Sequence, residues 1–486
     1  MNTSLRTRTN ITPTRALPVV GAFLLCVAGC RAVGPDYHGP SGAAVVNESA
    51  AKGPFIGAGD SAFSREAAAG AWWRLYESPP LDELVSEAFA ANTDLRMAQA
   101  NLERSQALLH EARATRQPMA EVNFDPSYQQ LSPESYLHSG TLAPGGLYDT
   151  GVSVSYELDL FGRLRRVVEA ATAADDAVRA AYDLTKVTVA AETARAYADV
   201  CSAGEELAVT RRSLVLQLQS ATITQRLVHA GRAPSLDYTR SAGQVAQIRA
   251  NIPALEAQRT NALYRVAALT GRPPAEYPKS IEVCASAPRL PRPIPVGDGT
   301  ALLRRRPDVR EAERELAAAT ARVGIATADL YPRVTLGAAI GSTGAIADFL
   351  TAPTNRYGIG MAIHWQANRS LVRARIAQAN AAGKFAVAKF DGVVLTALRE
   401  TESALATYGS DLQRDDDLTT ARARAAEAEQ QAQRLYIGGK IDFLPLLDAQ
   451  RSLAAADSAL AASHAQLAAD QVAIFLALGG GWESLK

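Results

Sequence analysis

Tyr148-Asp149-Thr150-Gly151-Val152-Ser153-Val154-Ser155-Tyr156-Glu157-Leu158 places Tyr, Thr, Val, Val, Tyr and Leu at even positions and Asp, Gly, Ser, Ser and Glu between them. Such alternation predicts a strand with two unlike faces. About 9–11 residues is also the length a tilted strand needs to cross a bilayer. A few residues later the period changes. Ala170, Ala173, Ala177, Ala180, Leu184, Val187, Ala191, Ala194, Ala198 and Cys201 follow 3,4 spacing, and no proline interrupts the run. The pattern predicts one helix from Leu164 to about Val228, on the order of 100 Å long at 1.5 Å per residue. A sustained period near 3.5 over that length implies coiled-coil packing rather than a globular core. Alanine along the seam lets helices approach closely.

The same succession occurs twice. Leu95, Ala98, Leu102, Ser105, Leu109 and Ala112 recur 214 positions later as Val309, Ala312, Leu316, Ala319, Val323 and Ala326. Val245, Ile248, Ile252, Leu255 and Val266 recur 208 positions later as Leu453, Ala456, Leu460, Ser463 and Ile474, and Gly231 lands on Gly439. Two tandem halves follow from this self-similarity. Each opens with a helix of medium length (Leu81 to Arg116; Thr300 to Leu330) that stops before a proline. A strand pair comes next: Glu121 to Gln130 with Tyr148 to Leu158, then Val334 to Ser342 with Arg356 to Trp365. Pro/Gly/Ser-rich loops separate the members of each pair. A long helix (Leu164 to about Val228; Leu371 to about Tyr436), a glycine turn and a return helix (Leu236 to Thr270; Phe443 to Leu478) complete each half.

The 486 residues carry 50 basic and 50 acidic side chains, so nothing chain-wide attracts nucleic acid or anionic lipid. At 48% apolar the chain can bury large surfaces, yet aromatics make up only 6%. There is no apolar run of 18 or more residues, so no membrane-spanning helix is expected. At the N-terminus, Arg6, Arg8 and Arg15 precede the apolar stretch Leu17 to Val27, and small residues follow it. This predicts a secretory signal over residues 1–29.

Four strands per chain cannot close a barrel, and an open edge in lipid leaves unpaired backbone groups costing several kcal/mol each. Three chains give twelve strands, with the helices continuing as a tube. The expected architecture is therefore a mixed α/β membrane protein, a homotrimer whose twelve-stranded β-barrel runs into a coiled-coil α-helical barrel.

The sequence resembles the outer membrane factor family, the TolC-like exit ducts of bacterial efflux pumps, and especially its NodT-type lipoprotein branch. Val27-Ala28-Gly29-Cys30 resembles a lipobox, and Gly34-Pro35-Asp36-Tyr37 is similar to the segment that follows it in such lipoproteins. Trp72-Trp73-Arg74-Leu75-Tyr76 resembles the family's start. Tyr156 to Arg163, with Phe161, Gly162 and Arg163 at its end, resembles the strand-to-helix junction. Arg304-Arg305-Arg306-Pro307-Asp308 resembles the opening of the second half, and Leu446 to Arg451 and Ala477 to Trp482 resemble the C-terminal helix. The second junction, His364 to Leu371, departs from the aromatic-glycine pattern. Pro445, in the first turn of a tip helix, is a second departure, tolerated at that position.

The resemblance implies a passive exit duct for small molecules across the periplasm and outer membrane. It implies lipid on Cys30 as the only non-protein group, with no cofactor, metal or catalytic role. Arg31, rather than an aspartate, implies sorting to the outer membrane. Expected partners are two further copies, a periplasmic adaptor, an inner-membrane pump of the proton-driven type, and outer-membrane lipid. Asp448 would supply carboxylates at a periplasmic gate, with Asp237 as a second contributor, and the turns at Gly231 and Gly439 would dock the adaptor. The expected domains are 1–29 signal peptide, 30–80 lipidated segment, 81–284 first repeat, 285–300 Pro-rich linker and 301–486 second repeat.

Rival chemistry is sparse. Gly479-Gly480-Gly481 lacks the Lys-Ser/Thr of a phosphate loop. The six histidines are scattered, and no nucleophile elbow supports a hydrolase. Arg163 to Arg166 reads as a solvated or headgroup-facing cluster. Cys201 reads as a small buried thiol, although the sequence leaves a disulfide to Cys284 open. The alternative function, a poreless lipoprotein scaffold, has no use for two matched strand pairs.

Overall fold

The computed structural model describes residues 32–40, 43–59, 61–136, 140 and 143–482. The signal segment and Cys30 lie outside the described residues. Four strands form one antiparallel sheet in the order β1 (Met119–Gln129), β2 (Gly145–Leu158), β3 (Arg333–Ala345), β4 (Asn355–His364). All four fall within a few residues of the predicted segments. The helices are α1 (Pro79–Ala91), α2 (Thr93–Ala114), α3 (Arg163–His229), α4 (Ser235–Leu269), α5 (Gly299–Arg305), α6 (Pro307–Ala328), α7 (Arg369–Ile437) and α8 (Phe443–Ala477). The long members α3 and α7 run for 67 and 69 residues.

Two predicted helices are each divided. Residues 81–116 do not form one helix, because Asn92 ends α1 and caps α2. Its Oδ1 accepts the amides of Asp94 at 2.9 Å and Leu95 at 3.2 Å, supplying partners that a helix start lacks. Residues 300–330 break at Arg306, whose extended backbone (φ −61°, ψ 121°) is what the following Pro307 favours.

The chain forms two compact units. One holds the sheet and the adjoining ends of α2, α3, α6 and α7. The other holds the remainder of the helices and the core built on the segment before α1. There Trp72 is fully buried and stacks on Phe475 at 4.7 Å, with Leu81, Val85, Val266 and Ile474 packed into the same cluster. In the same unit Cys201 and Cys284 form a disulfide. Cys201 is buried as expected, but it is paired rather than a free thiol.

The C-terminal ends of the long helices and of the return helices share one geometry. Gly231 and Gly439 have φ of +65° and +67°, and Gly271 and Gly479 have +71° and +66°. After α3, the amides of Gly231 and Arg232 return to Val228 and Leu227; after α7, those of Gly439 and Lys440 return to Tyr436 and Leu435. Each closes a Schellman motif, for which a left-handed glycine is the low-strain choice.

Candidate channel wall and helical tips

Register fixes the faces of the sheet. Val122 lies opposite Val152, Val154 opposite Ala338, Tyr156 opposite Leu336, and Leu336 opposite Met361. Directly opposed residues share a face. One face therefore carries Val122, Phe124, Tyr128, Val152, Val154, Tyr156, Leu336, Ile340, Tyr357, Ile359, Met361 and Ile363. The other carries Glu121, Asn123, Asp125, Asp149, Ser153, Ser155, Thr335, Thr343, Arg356 and His364. On the apolar face most of the large side chains are exposed in the single chain, Ile359 by 90% and Tyr128 by 77%. An apolar outside and a polar inside is the pattern of a barrel wall in lipid. Substituting Val154 by Arg should cost about 2–4 kcal/mol near mid-bilayer, whereas Ser153→Arg on the opposite face should cost far less. Urea titrations of folding into lipid vesicles compare the two; equal costs would refute this assignment of faces.

The first junction is built by Asp159, Phe161, Gly162 and Arg163. Asp159 accepts the amides of Leu164 and Arg165, each at 2.9 Å, and so caps α3. Phe161 stacks on Tyr331 at 4.5 Å. Gly162 has φ +77°, and a Cβ there would stand 2.5 Å from Ala32. Arg163 grips Glu157 through two nitrogens at 3.0 and 2.8 Å. Arg166 departs from the expectation of a solvated or headgroup-facing cluster. Arg166 is buried, donating to Asp36 at 2.6 Å, Glu169 at 2.7 Å and the carbonyls of Val33 and Gly34. Its charge binds the N-terminal segment to the junction. At the second junction Asn368 takes over the capping, accepting from Leu371 at 3.3 Å. Trp365 donates its indole N–H to Leu330 and lies under Arg369.

At the tips, Asp237 occupies the first turn of α4, half-buried beside Tyr436. Burial and then the Asp237 charge hold the Tyr436 hydroxyl above its ordinary range. Asp442 is the N-cap residue of α8, without a side-chain capping bond. Phe443, Leu446 and Leu447 are the buried face of that helix, and Asp448 lies exposed outside it. Arg451, one turn on, is engaged by Gln244 at 2.9 Å. The structure thus brings Asp237 to the start of α4 and leaves Asp448 exposed on α8.

Sequence reasoning missed two clusters. His464 Nδ1 lies 2.7 Å from Glu205, with Asp415 at 3.6 Å from Nε2, joining α8 to α3 and α7. Nearby, burial and then the Asp411 carboxyl push Asp470 up to about 6. In the second cluster Arg306 meets Asp308 and Glu400 at 2.7 and 2.9 Å and the Ala477 carbonyl at 2.8 Å. Its only sequence signal was the arginine run before Pro307.

The outer membrane efflux protein family matches residues 84–272 and 300–480, together most of the chain. The chain belongs to that family. It is 32% identical over 424 residues to the pyoverdine export outer membrane protein OpmQ of Pseudomonas putida, spanning 85% of this chain and 88% of that one. Nodulation protein T of Rhizobium leguminosarum bv. viciae is 29% identical over 95% of this chain and 93% of its own. Among solved structures, the outer-membrane channel OprN superposes with a TM-score of 0.85 at 33% identity, covering 93% of this chain and all of that one. This efflux protein is therefore a channel component of the outer membrane, with the fold of one third of a twelve-stranded barrel continuing into a helical barrel.

Proposed function

We propose that the chain is the lipid-anchored exit duct of a three-part efflux system, narrowed at its periplasmic end by a ring of Asp448 carboxylates. The observation that carries this reading is the placement of Asp448. It is an exposed carboxylate on α8, outside the apolar contacts that seat the tip. Three such carboxylates around a narrow axis repel anions and favour cations. Asp237, half-buried against Tyr436, contributes less. The glycine turns at Gly231 and Gly439 are open, with nothing within 4 Å of an added Cβ, and so leave room for an adaptor to dock. A proton-driven inner-membrane pump completes the system.

Planar-bilayer recordings test the gate. Asp448→Ala should raise conductance and weaken cation preference, and the double variant with Asp237→Ala should do so further. Unchanged recordings in both would reduce the two residues to helix-end charges.

The anchor is supported by the N-terminal segment. The Val33 amide donates to Phe161 at 3.0 Å, so the chain three residues after Cys30 is fixed at the strand–helix junction, where a barrel meets the lipid surface. Several acyl chains at about 0.8 kcal/mol per buried methylene would hold it there essentially permanently. Mass spectrometry of the N-terminal peptide should find Cys30 first and triacylated; an unmodified cysteine would remove the anchor.

A further inference from the structure

The internal repeat supplies a template for the contact between copies. Within one chain β2 pairs with β3; β2 runs into α3, and α6 runs into β3. The repeat carries β2 and α3 onto β4 and α7, and α6 and β3 onto α2 and β1. The edges of the sheet are β4 and β1, so in a closed ring β4–α7 of one copy meets α2–β1 of the next. That contact is the repeat-equivalent of one already present inside the chain.

The equivalence can be followed residue by residue. Inside the chain, Arg310 of α6 reaches Asp183 of α3 at 3.5 Å. The 214-residue offset takes Arg310 to Arg96, and the 208-residue offset takes Asp183 to Asp391. Both charges are retained. Arg96 is exposed, and Asp391 accepts a long 3.4 Å bond from the Val45 amide. The helix face agrees. Val187, one turn beyond Asp183, is 1% exposed, while its counterpart Leu395, one turn beyond Asp391, is 53% exposed. Ala180 is fully buried and its counterpart Ala388 is exposed. A surface covered inside the chain on α3 is thus bare on α7, with a larger apolar residue at its centre.

The strands give an independent check. Met119 lies opposite Ser155, and Arg333 opposite His364, so Ser155 corresponds to His364. Carrying the β2–β3 register across the gap turns the pair Val154 and Ala338 into Ile363 opposite Phe124 of the next copy. The pair Thr150 and Ser342 becomes Ile359 opposite Tyr128. Apolar residues meet apolar ones, and a slip of one residue would set every such residue against the polar face.

We infer that Arg96 of one copy pairs with Asp391 of the next, a contact that also covers Leu395, whose counterpart Val187 is buried within the chain. The occupant of this face is a second copy of the chain, and the inference rests on the three-chain barrel. The first test co-expresses a chain carrying only Arg96→Cys with one carrying only Asp391→Cys and adds a short bis-maleimide linker. A covalent mixed dimer is expected on a denaturing gel. The second test reverses the charges. Arg96→Asp or Asp391→Arg alone should lower the trimer-to-monomer ratio roughly tenfold or more, because like charges then face each other. The double exchange should recover most of that loss. Intact trimers without the cross-link, or a double variant no better than either single one, would overturn the pairing while leaving the trimer standing. A wild-type chain that purifies as a folded monomer would remove the three-chain reading itself.

Discussion

Arg306→Ala should destabilise the helical unit by about 3 kcal/mol, the cost of removing a buried guanidinium whose carbonyl and half-exposed carboxylate partners then lose their donor. The guanidinium is nearly enclosed, with a side-chain exposure of 8%. It forms a two-pronged grip on Asp308, reaches Glu400 on α7, and donates to the Ala477 carbonyl at the end of α8. Those contacts hold its charge firmly, raising its affinity for the proton against the opposing effect of burial. Removing it strands two carboxylates and a helix-terminal carbonyl together. Arg305, one residue back, ties down a different segment. It donates to the carbonyls of Ala68 and Ala69, while its own carbonyl accepts the Trp482 indole N–H. Arg306→Lys keeps a charge but loses the forked geometry, so it should fall between wild type and alanine. Denaturant titration in detergent, with hydrogen exchange followed at the end of α8 and around Trp72, reads out the order. Alanine and lysine variants of equal stability would show that a charge without the forked geometry contributes nothing here.

The fold was legible wherever a periodic signal ran long enough to exceed local noise. Tyr148 to Leu158 alternated over its whole length, and the Ala170 to Cys201 seam repeated at helical spacing, so both elements were placed to within a few residues. The faces of the sheet needed the register. Alternation shows that Val154 and Ser153 point opposite ways, but only pairing with Ala338 and Val122's strand shows that all four apolar rows coincide. The break at Asn92 has no periodic signal, because the apolar pattern on either side of it continues in phase and the break depends on two side-chain hydrogen bonds. Arg166 looked like surface because its neighbours in sequence are arginines. Its partner Asp36 lies 130 residues away in sequence, and no local pattern announces it. The tip aspartates were legible as residues and ambiguous in role, since an acidic residue near a helix start serves the dipole as readily as a pore.

Separating Cys201 from Cys284 should cost about 4–5 kcal/mol by the chain-entropy account, because the bond closes a loop of 83 residues. The loop holds the end of α3, the Gly231 turn, all of α4 and the segment that leads to the second repeat. The linker's attachment is close as well as covalent. A Cβ placed on Gly204, one turn from Cys201, would stand 2.1 Å from the Cys284 carbonyl oxygen. One turn of α3 thus offers a sulfur and a bare backbone to the same stretch of linker. Glu205 adds a third tie by accepting the Ala287 amide at 2.9 Å. The second repeat has no counterpart, since residue 409, 208 positions after Cys201, is Gly409. Oxidation in the periplasm therefore stiffens one hairpin and leaves the other to its packing. The Cys201→Ser/Cys284→Ser variant should unfold at lower denaturant and lose exchange protection first in α4 and residues 279–287, with α7 and α8 little changed. Gly204→Ala should shift the same region even with both cysteines present, by forcing the linker from the helix. If the reduced and oxidised forms unfold together, the loop is already held by Glu205 and its neighbours, and the disulfide adds nothing the packing lacks.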